Sequence, residues 1–360
     1  MRIGIVGLPN AGKSSLFNAL TRAGAEAANY PFTTVEPNVA VVPVPDERLD
    51  RVAETIDAKP LVHETIAFHD IAGLIRGAHK GEGLGNRFLA NIRETDAIVH
   101  VVRAHSDPRV VHPEGRVDPA SDLEAIDTEL LYADLEQAER RLDRVSRQAK
   151  TGERSLVAEE AWLRELVAAL QAGRPARSVP PPADAPGVMD ALQPLTAKPV
   201  LIVANVPEDD PGTVPAAVAE HAAATGAIAV AVSARLESEL AELDDDEAAA
   251  MRQDLGSEEA GLGRVIRGAF DLLELISFFT AGTDKEARAH AVRRDTTAWE
   301  AAGKIHSDIQ RGFVRAEIVP WDALVEAGGY AGARDRGQLR LEGRDYVVRD
   351  GDVLTIKFTP

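Results

Sequence analysis

The pattern of apolar and polar positions divides the chain into stretches of different character. From residue 1 to about 120, candidate strands fall at 2–7, 37–44, 63–70 and 97–103, one helix begins at Gly12 and another fits 84–94. This alternation predicts an α/β domain on a largely parallel sheet. Near Ser121 the period changes: Ile126, Leu130, Leu131, Leu135, Ala138 and Leu142 recur at helical spacing, and a second helix fits 155–172. The expectation is an antiparallel helical hairpin. Gly173 to Gly187, with Pro175, Pro180, Pro181, Pro182 and Pro186, reads as a loop or linker. Apolar runs at 199–204 and 227–232 then restore the strand pattern, so the helical pair reads as an insertion. Beyond it, 314–319, 338–341, 345–348 and 353–358 read as short strands separated by Gly328-Gly329, Glu342-Gly343 and Asp350-Gly351 turns. The predicted domains are 1–120 with 196–276, an insertion at 121–195, and a small β-rich domain at 277–360.

Composition narrows the setting. The chain has 360 residues with 45% hydrophobic content, enough for several cores, and no cysteine, which excludes disulfides and thiolate chemistry. No apolar run reaches the roughly 18 residues a membrane span needs, and the first residues read as a core strand rather than a leader. A soluble, cytoplasmic, monomeric protein is expected. The net charge of −18 opposes loose binding to DNA and leaves room for a local basic patch that docks on RNA. Arg140, Arg141, Arg144, Arg147, Lys150 and Arg154 form such a run on the helical pair.

The sharpest chemistry lies at Gly7-Leu8-Pro9-Asn10-Ala11-Gly12-Lys13-Ser14, between the first strand and the first helix. Gly, four residues, then Gly-Lys-Ser is the Walker A phosphate loop. Its glycines let backbone N–H groups turn toward phosphate oxygens, and the following helix adds its positive end. Asn10, Ala11, Gly12, Lys13, Ser14 and Ser15 are the candidate phosphate ligands, with Ser14 also a ligand for Mg²⁺. Asp70, closing a strand, is a second Mg²⁺ candidate, and Gly73 can offer its N–H to the γ-phosphate. Thr34, in Asn29-Tyr30-Pro31-Phe32-Thr33-Thr34, can complete the metal shell and sense the γ-phosphate. Asn205-Val206-Pro207-Glu208 stands where GTPases carry Asn-Lys-x-Asp, with Val206 for the lysine and Glu208 for the aspartate. Both guanine and adenine remain open on this chemistry. Ser233 and Ala234 are placed to support the base through backbone groups.

Together these residues resemble the Obg-like ATPases of the YchF subfamily. The resemblance also rests on Gly77-Ala78-His79-Lys80-Gly81-Glu82-Gly83-Leu84-Gly85-Asn86, Ala301-Ala302-Gly303-Lys304-Ile305-His306-Ser307-Asp308 and Gly312-Phe313-Val314-Arg315-Ala316-Glu317. It implies a P-loop GTPase-like α/β domain, an inserted α-helical coiled coil and a small α+β TGS-like C-terminal domain. It further implies ATP in preference to GTP, Val206 and its neighbours at the adenine, and the ribosome or its RNA as partner. Arg140, Arg144, Arg147, Arg311 and Arg315 are then candidate contacts.

Hydrolysis poses a question. Ras-type enzymes orient the attacking water with a glutamine just after Asp-x-x-Gly; here Leu74 has no donor or acceptor. Slow turnover as a switch is expected, with His112 as the side chain that reaches toward the γ-phosphate. Asn10 could ligate a monovalent cation, K⁺, and the glycines at 77, 81, 83 and 85 suit a segment that rearranges. A conventional GTP-specific GTPase and a kinase-like phosphotransferase are the alternatives; no segment offers the acceptor pocket and base that the latter needs.

Overall fold

The computed structural model describes residues 1–26, 38–71, 84–107, 110–112, 115–254, 261–282 and 285–359. Its strands are β1 (Arg2–Val6), β2 (Val39–Pro43), β3 (Leu61–Val62), β4 (Thr65–Asp70), β5 (Ala97–Arg103), β6 (Val200–Asn205), β7 (Ile228–Val232), β8 (Leu275–Ala281), β9 (Ala287–Arg293), β10 (Phe313–Pro320), β11 (Arg340–Glu342) and β12 (Asp352–Phe358). They form two six-stranded sheets, ordered β2-β4-β1-β5-β6-β7 and β11-β10-β12-β8-β9-β3. The protein is therefore a mixed α/β chain: a P-loop GTPase-like sheet with its helices, and a β-rich C-terminal sheet.

In the first sheet β1 pairs in parallel with β4 and β5, and β5, β6 and β7 continue in parallel. Every residue of β5 is buried, as expected of a central strand covered on both faces. The helix Pro119–Gln148 starts on an N-cap, Asp118, which accepts from Ser121 N, with Pro119 in the first turn. Its first half packs Ile126, Leu130 and Ala133 against Phe88, Ile92 and Ile98. Its second half pairs with the helix Arg154–Gln171 around Ala138, Val145, Trp162 and Leu166, and Arg141 bridges to Glu159 at 2.6 Å. The proline-rich stretch is not a free linker. Val179, Val188 and Leu192 are buried in the hairpin core, and Trp162 Nε1 donates to the Val179 carbonyl at 3.2 Å. Asp134 then fastens the return to the sheet, accepting from Leu195 N and Thr196 N at 2.8 Å each.

The chain divides into two compact units: Met1–Val42 with Ala67–Leu272, and Pro43–Ile66 with Leu273–Pro360. This differs from the expected boundaries. The excursion at 43–66 carries a helix, Glu47–Ile56, whose Leu49, Val52, Ala53 and Ile56 pack with Phe279, Val319, Leu324 and Val353 of the second unit. β8 and β9 form an antiparallel pair absent from the sequence reading. The expected strand at 345–348 is only one isolated bridge, Thr297 to Val347, because Asp352 captures the segment through Arg349 N and the Tyr346 hydroxyl.

Among the described residues, burial pushes the pKa of one histidine in each unit down furthest. His100 in the first and His290 in the second both have their pKa pushed down to about 4. The unfolded chain takes up these protons near 6.5, the folded units do not. The associated stability is complete above the unfolded value and drains away as pH falls toward 4. By pH 5 each ring is expected to cost its unit about 2 kcal/mol. Urea midpoints at pH 7 and 5 check this: His290→Leu should flatten the pH dependence of the second unit, and an equal slope would refute the assignment. His221, whose pKa is raised by its hydrogen bond to Asp127, acts in the opposite sense, losing its contribution as pH rises.

Candidate functional site

The phosphate loop is shaped by three residues with positive φ: Gly7 (154°), Asn10 (63°) and Gly12 (104°). A Cβ on Gly7 would stand 2.3 Å from the Val101 carbonyl oxygen, and one on Gly12 2.3 Å from Asn205 Nδ2. Only glycine meets both the angle and the approach. The helix Lys13–Glu26 follows directly, with Leu16 N bonded to the Gly12 carbonyl. Its exposed N-terminal residue Ser14 and half-buried Ser15 sit where unpaired N–H groups and the positive helix end meet.

Lys13 is 8% exposed and donates from Nζ to the Leu8 carbonyl at 2.7 Å. Asp70 closes β4 in register with Ile5 of β1. Burial pushes the Lys13 pKa down and the Asp70 pKa up, and each side chain's charge opposes the other's shift. Both charged forms are therefore under-solvated, which favours a phosphate at the ammonium and a cation at the carboxylate.

Asn205 is a clamp. Its Nδ2 donates to the Ala11 carbonyl and its Oδ1 accepts from Ala234 N, both at 3.0 Å, so one buried amide joins the phosphate loop to the segment after β7. Ser233 caps the helix Ala234–Leu240, its Oγ accepting from Leu236 N. Val206 departs from expectation. Its side chain is 3% exposed and clusters with Val102, Leu123 and Ile202 in the core. Glu208 is paired with Arg235 at 3.1 Å, and Arg235 also reaches Glu239.

His112 is not a solvated loop residue. Its Nε2 lies 2.8 Å from Asp122 Oδ2, and both side chains are buried. The preceding residue, Val111, accepts from Asn10 Nδ2 at 2.9 Å. The phosphate loop thus connects to the histidine segment, and the histidine to the first turns of the hairpin helix. Sequence reading missed Asp122 and Arg235; the one available signal was their position just inside helices capped by Asp118 and Ser233. Thr34, Gly73 and Leu74 lie outside the described residues.

A largely parallel sheet, a strand–loop–helix phosphate cradle at the end of β1 and an asparagine clamp at the end of β6 define a P-loop nucleotide-binding protein of the GTPase-like class. The model of the 50S ribosome-binding GTPase family matches residues 2–141, and that of the YchF GTPase C-terminal domain, a protein of unknown function, matches 275–359. The ribosome-binding ATPase YchF of Bacillus subtilis is 48% identical, over 99% of this chain and 98% of that protein. The protein of the same name from Escherichia coli O157:H7 is also 48% identical, over 99% of each. The structure of the Schizosaccharomyces pombe YchF GTPase superposes with a TM-score of 0.87 at 34% identity, covering 99% of this chain and 97% of that one. The chain belongs to the YchF family.

Proposed function

We propose that the protein is an ATP-hydrolysing molecular switch that acts on the ribosome. The observation that carries this reading is its 48% identity, end to end, to ribosome-binding ATPases. The phosphate loop and its clamp supply the matching chemistry. Lys13 gives up the Leu8 carbonyl for the outer phosphates, and backbone N–H groups from Asn10 to Ser15 cradle them. Ser14, Asp70 and Thr34 would hold Mg²⁺, which neutralises phosphate charge as the γ-phosphoryl departs. K⁺ is a further expectation at Asn10, whose side-chain oxygen makes no hydrogen bond among the described residues. His112 orients the attacking water in place of the glutamine that Leu74 displaces.

The base preference rests on Glu208. A guanine-reading carboxylate must be free to accept two N–H bonds, whereas Glu208 is engaged by Arg235 at 3.1 Å. ATP is therefore the preferred nucleotide. Competition of ATP against GTP tests this; Arg235→Ala, which frees the carboxylate, should improve relative GTP binding about threefold to tenfold. Equal affinities in the unaltered protein would favour the GTPase reading, which the description of the matching 50S ribosome-binding GTPase family supports.

For the ribosome, the exposed Arg140, Arg144 and Arg147 on the hairpin and Arg315 on β10 are the candidate RNA contacts. Arg311 is held by Asp308 and is the weaker candidate. Co-sedimentation with ribosomes should be stronger with a non-hydrolysable ATP analogue than with ADP, and charge reversal of Arg140, Arg144 and Arg147 together should abolish it. Absence of binding in both nucleotide states would overturn the proposal. Among the described residues no helix is long and apolar enough to cross a membrane. A cytoplasmic site of action follows from the partner.

A further inference from the structure

A cleft opens within the first unit, where the helical hairpin meets the sheet. Its walls include His100 on β5 and Ile202 on β6, which are register partners, together with Asp127, Leu130, Arg177 and His221.

The charged groups in this cleft are already engaged. Asp127 pairs with His221 at 2.9 Å, and Arg177 donates to the carbonyls of Thr196 and Thr225 at 3.0 and 3.1 Å. His100 is different. It is 3% exposed, lines the cleft, and makes no hydrogen bond among the described residues. Buried polar side chains are normally partnered, so this one marks a site for a ligand or ordered water. With its pKa held down to about 4 by burial, the ring is neutral and offers one N–H donor and one lone pair. The surrounding leucine, valine and isoleucine side chains suit an apolar body.

We propose that this cleft binds a small uncharged organic ligand that presents a donor and an acceptor side by side, as a primary amide or lactam does, on an apolar body. The unmet valence at His100 is a neutral donor and acceptor. A charged ligand would shed its water against groups that are already hydrogen-bonded, Asp127 to His221 and Arg177 to two carbonyls.

Benzamide is the probe and benzoate, of the same shape, the charged control. In the full-length protein, benzamide should shift the His100 and His221 ring resonances saturably, with benzoate binding at least about tenfold more weakly. His100→Leu should weaken benzamide at least about tenfold, the effect of one to two lost hydrogen bonds. Val200→Phe, which fills the cleft from the start of β6, should block it while leaving ATP binding and thermal unfolding unchanged; this variant carries the test if His100→Leu fails to fold. No saturable shift would mean that the cleft holds water only. Equal binding of benzoate, or benzamide binding unaltered in a folded variant, would likewise overturn the proposal.

Discussion

Asn205→Ala is expected to weaken ATP binding at least about thirtyfold and to destabilise the first unit by about 2–6 kcal/mol. The estimate follows from two buried groups losing their partner, the Ala11 carbonyl and Ala234 N–H, at about 1–3 kcal/mol each. Both bonds are 3.0 Å long and the amide is 6% exposed, so water does not readily replace it. The effect on ATP should exceed the effect on folding alone, because Ala11 lies inside the loop that aims N–H groups at phosphate. Asn205→Asp separates the two arms: its carboxylate can still accept from Ala234 N but sets an acceptor against the Ala11 carbonyl. It should lose ATP affinity at least as severely while retaining the Ala234 contact. Gly12→Ala strikes the same joint from the other side, through a Cβ 2.3 Å from Asn205 Nδ2 at a φ of 104°. Fluorescent-ATP titration and urea unfolding of the three variants check the argument. ATP affinity within threefold of the unaltered protein in Asn205→Ala would show that the clamp is not needed to shape the loop.

Much of this joint was legible before the structure because it is written in local pattern. The strand 2–6, the phosphate loop and the helix at 13 are contiguous, and their glycines announce positive φ. The hairpin was legible for the same reason: apolar spacing along 126–142 survives in the helix Pro119–Gln148. What was hidden depends on partners far along the chain. The helix Glu47–Ile56 has an apolar face, but nothing in that face says that it packs with Phe279 and Val353 rather than with β1. β8 and β9 were overlooked because Leu275 to Ala281 abuts a helix and reads as its continuation. That the Val206 side chain is buried, packing with Val102 and Ile202, was likewise hidden, since it depends on neighbours contributed by other strands and helices. Asp122 could not be named as the partner of His112, since the pairing depends on how the intervening loop folds.

That pairing yields the other large effect. His112→Ala is expected to lower ATP turnover at least about a hundredfold, the usual worth of a positioned acid–base group, with ATP affinity unchanged. A carboxylate accepts, so in the 2.8 Å contact with Asp122 the His112 Nε2 is the donor. Asp122→Asn is expected to cost turnover about tenfold without moving KM, because an amide in place of the carboxylate no longer fixes the ring through Nε2. The two substitutions together should cost no more than His112→Ala alone, the signature of a pair acting as a unit. Because Val111 accepts from Asn10, the pair is tied to the phosphate loop on one side and to the hairpin helix on the other. Asn10→Ala should therefore lower turnover more than it lowers ATP affinity. Single-turnover measurements at saturating ATP make the comparison. An unaltered rate in His112→Ala would remove the histidine from the mechanism and leave its bond to Asp122 as a fastening of the loop to the hairpin.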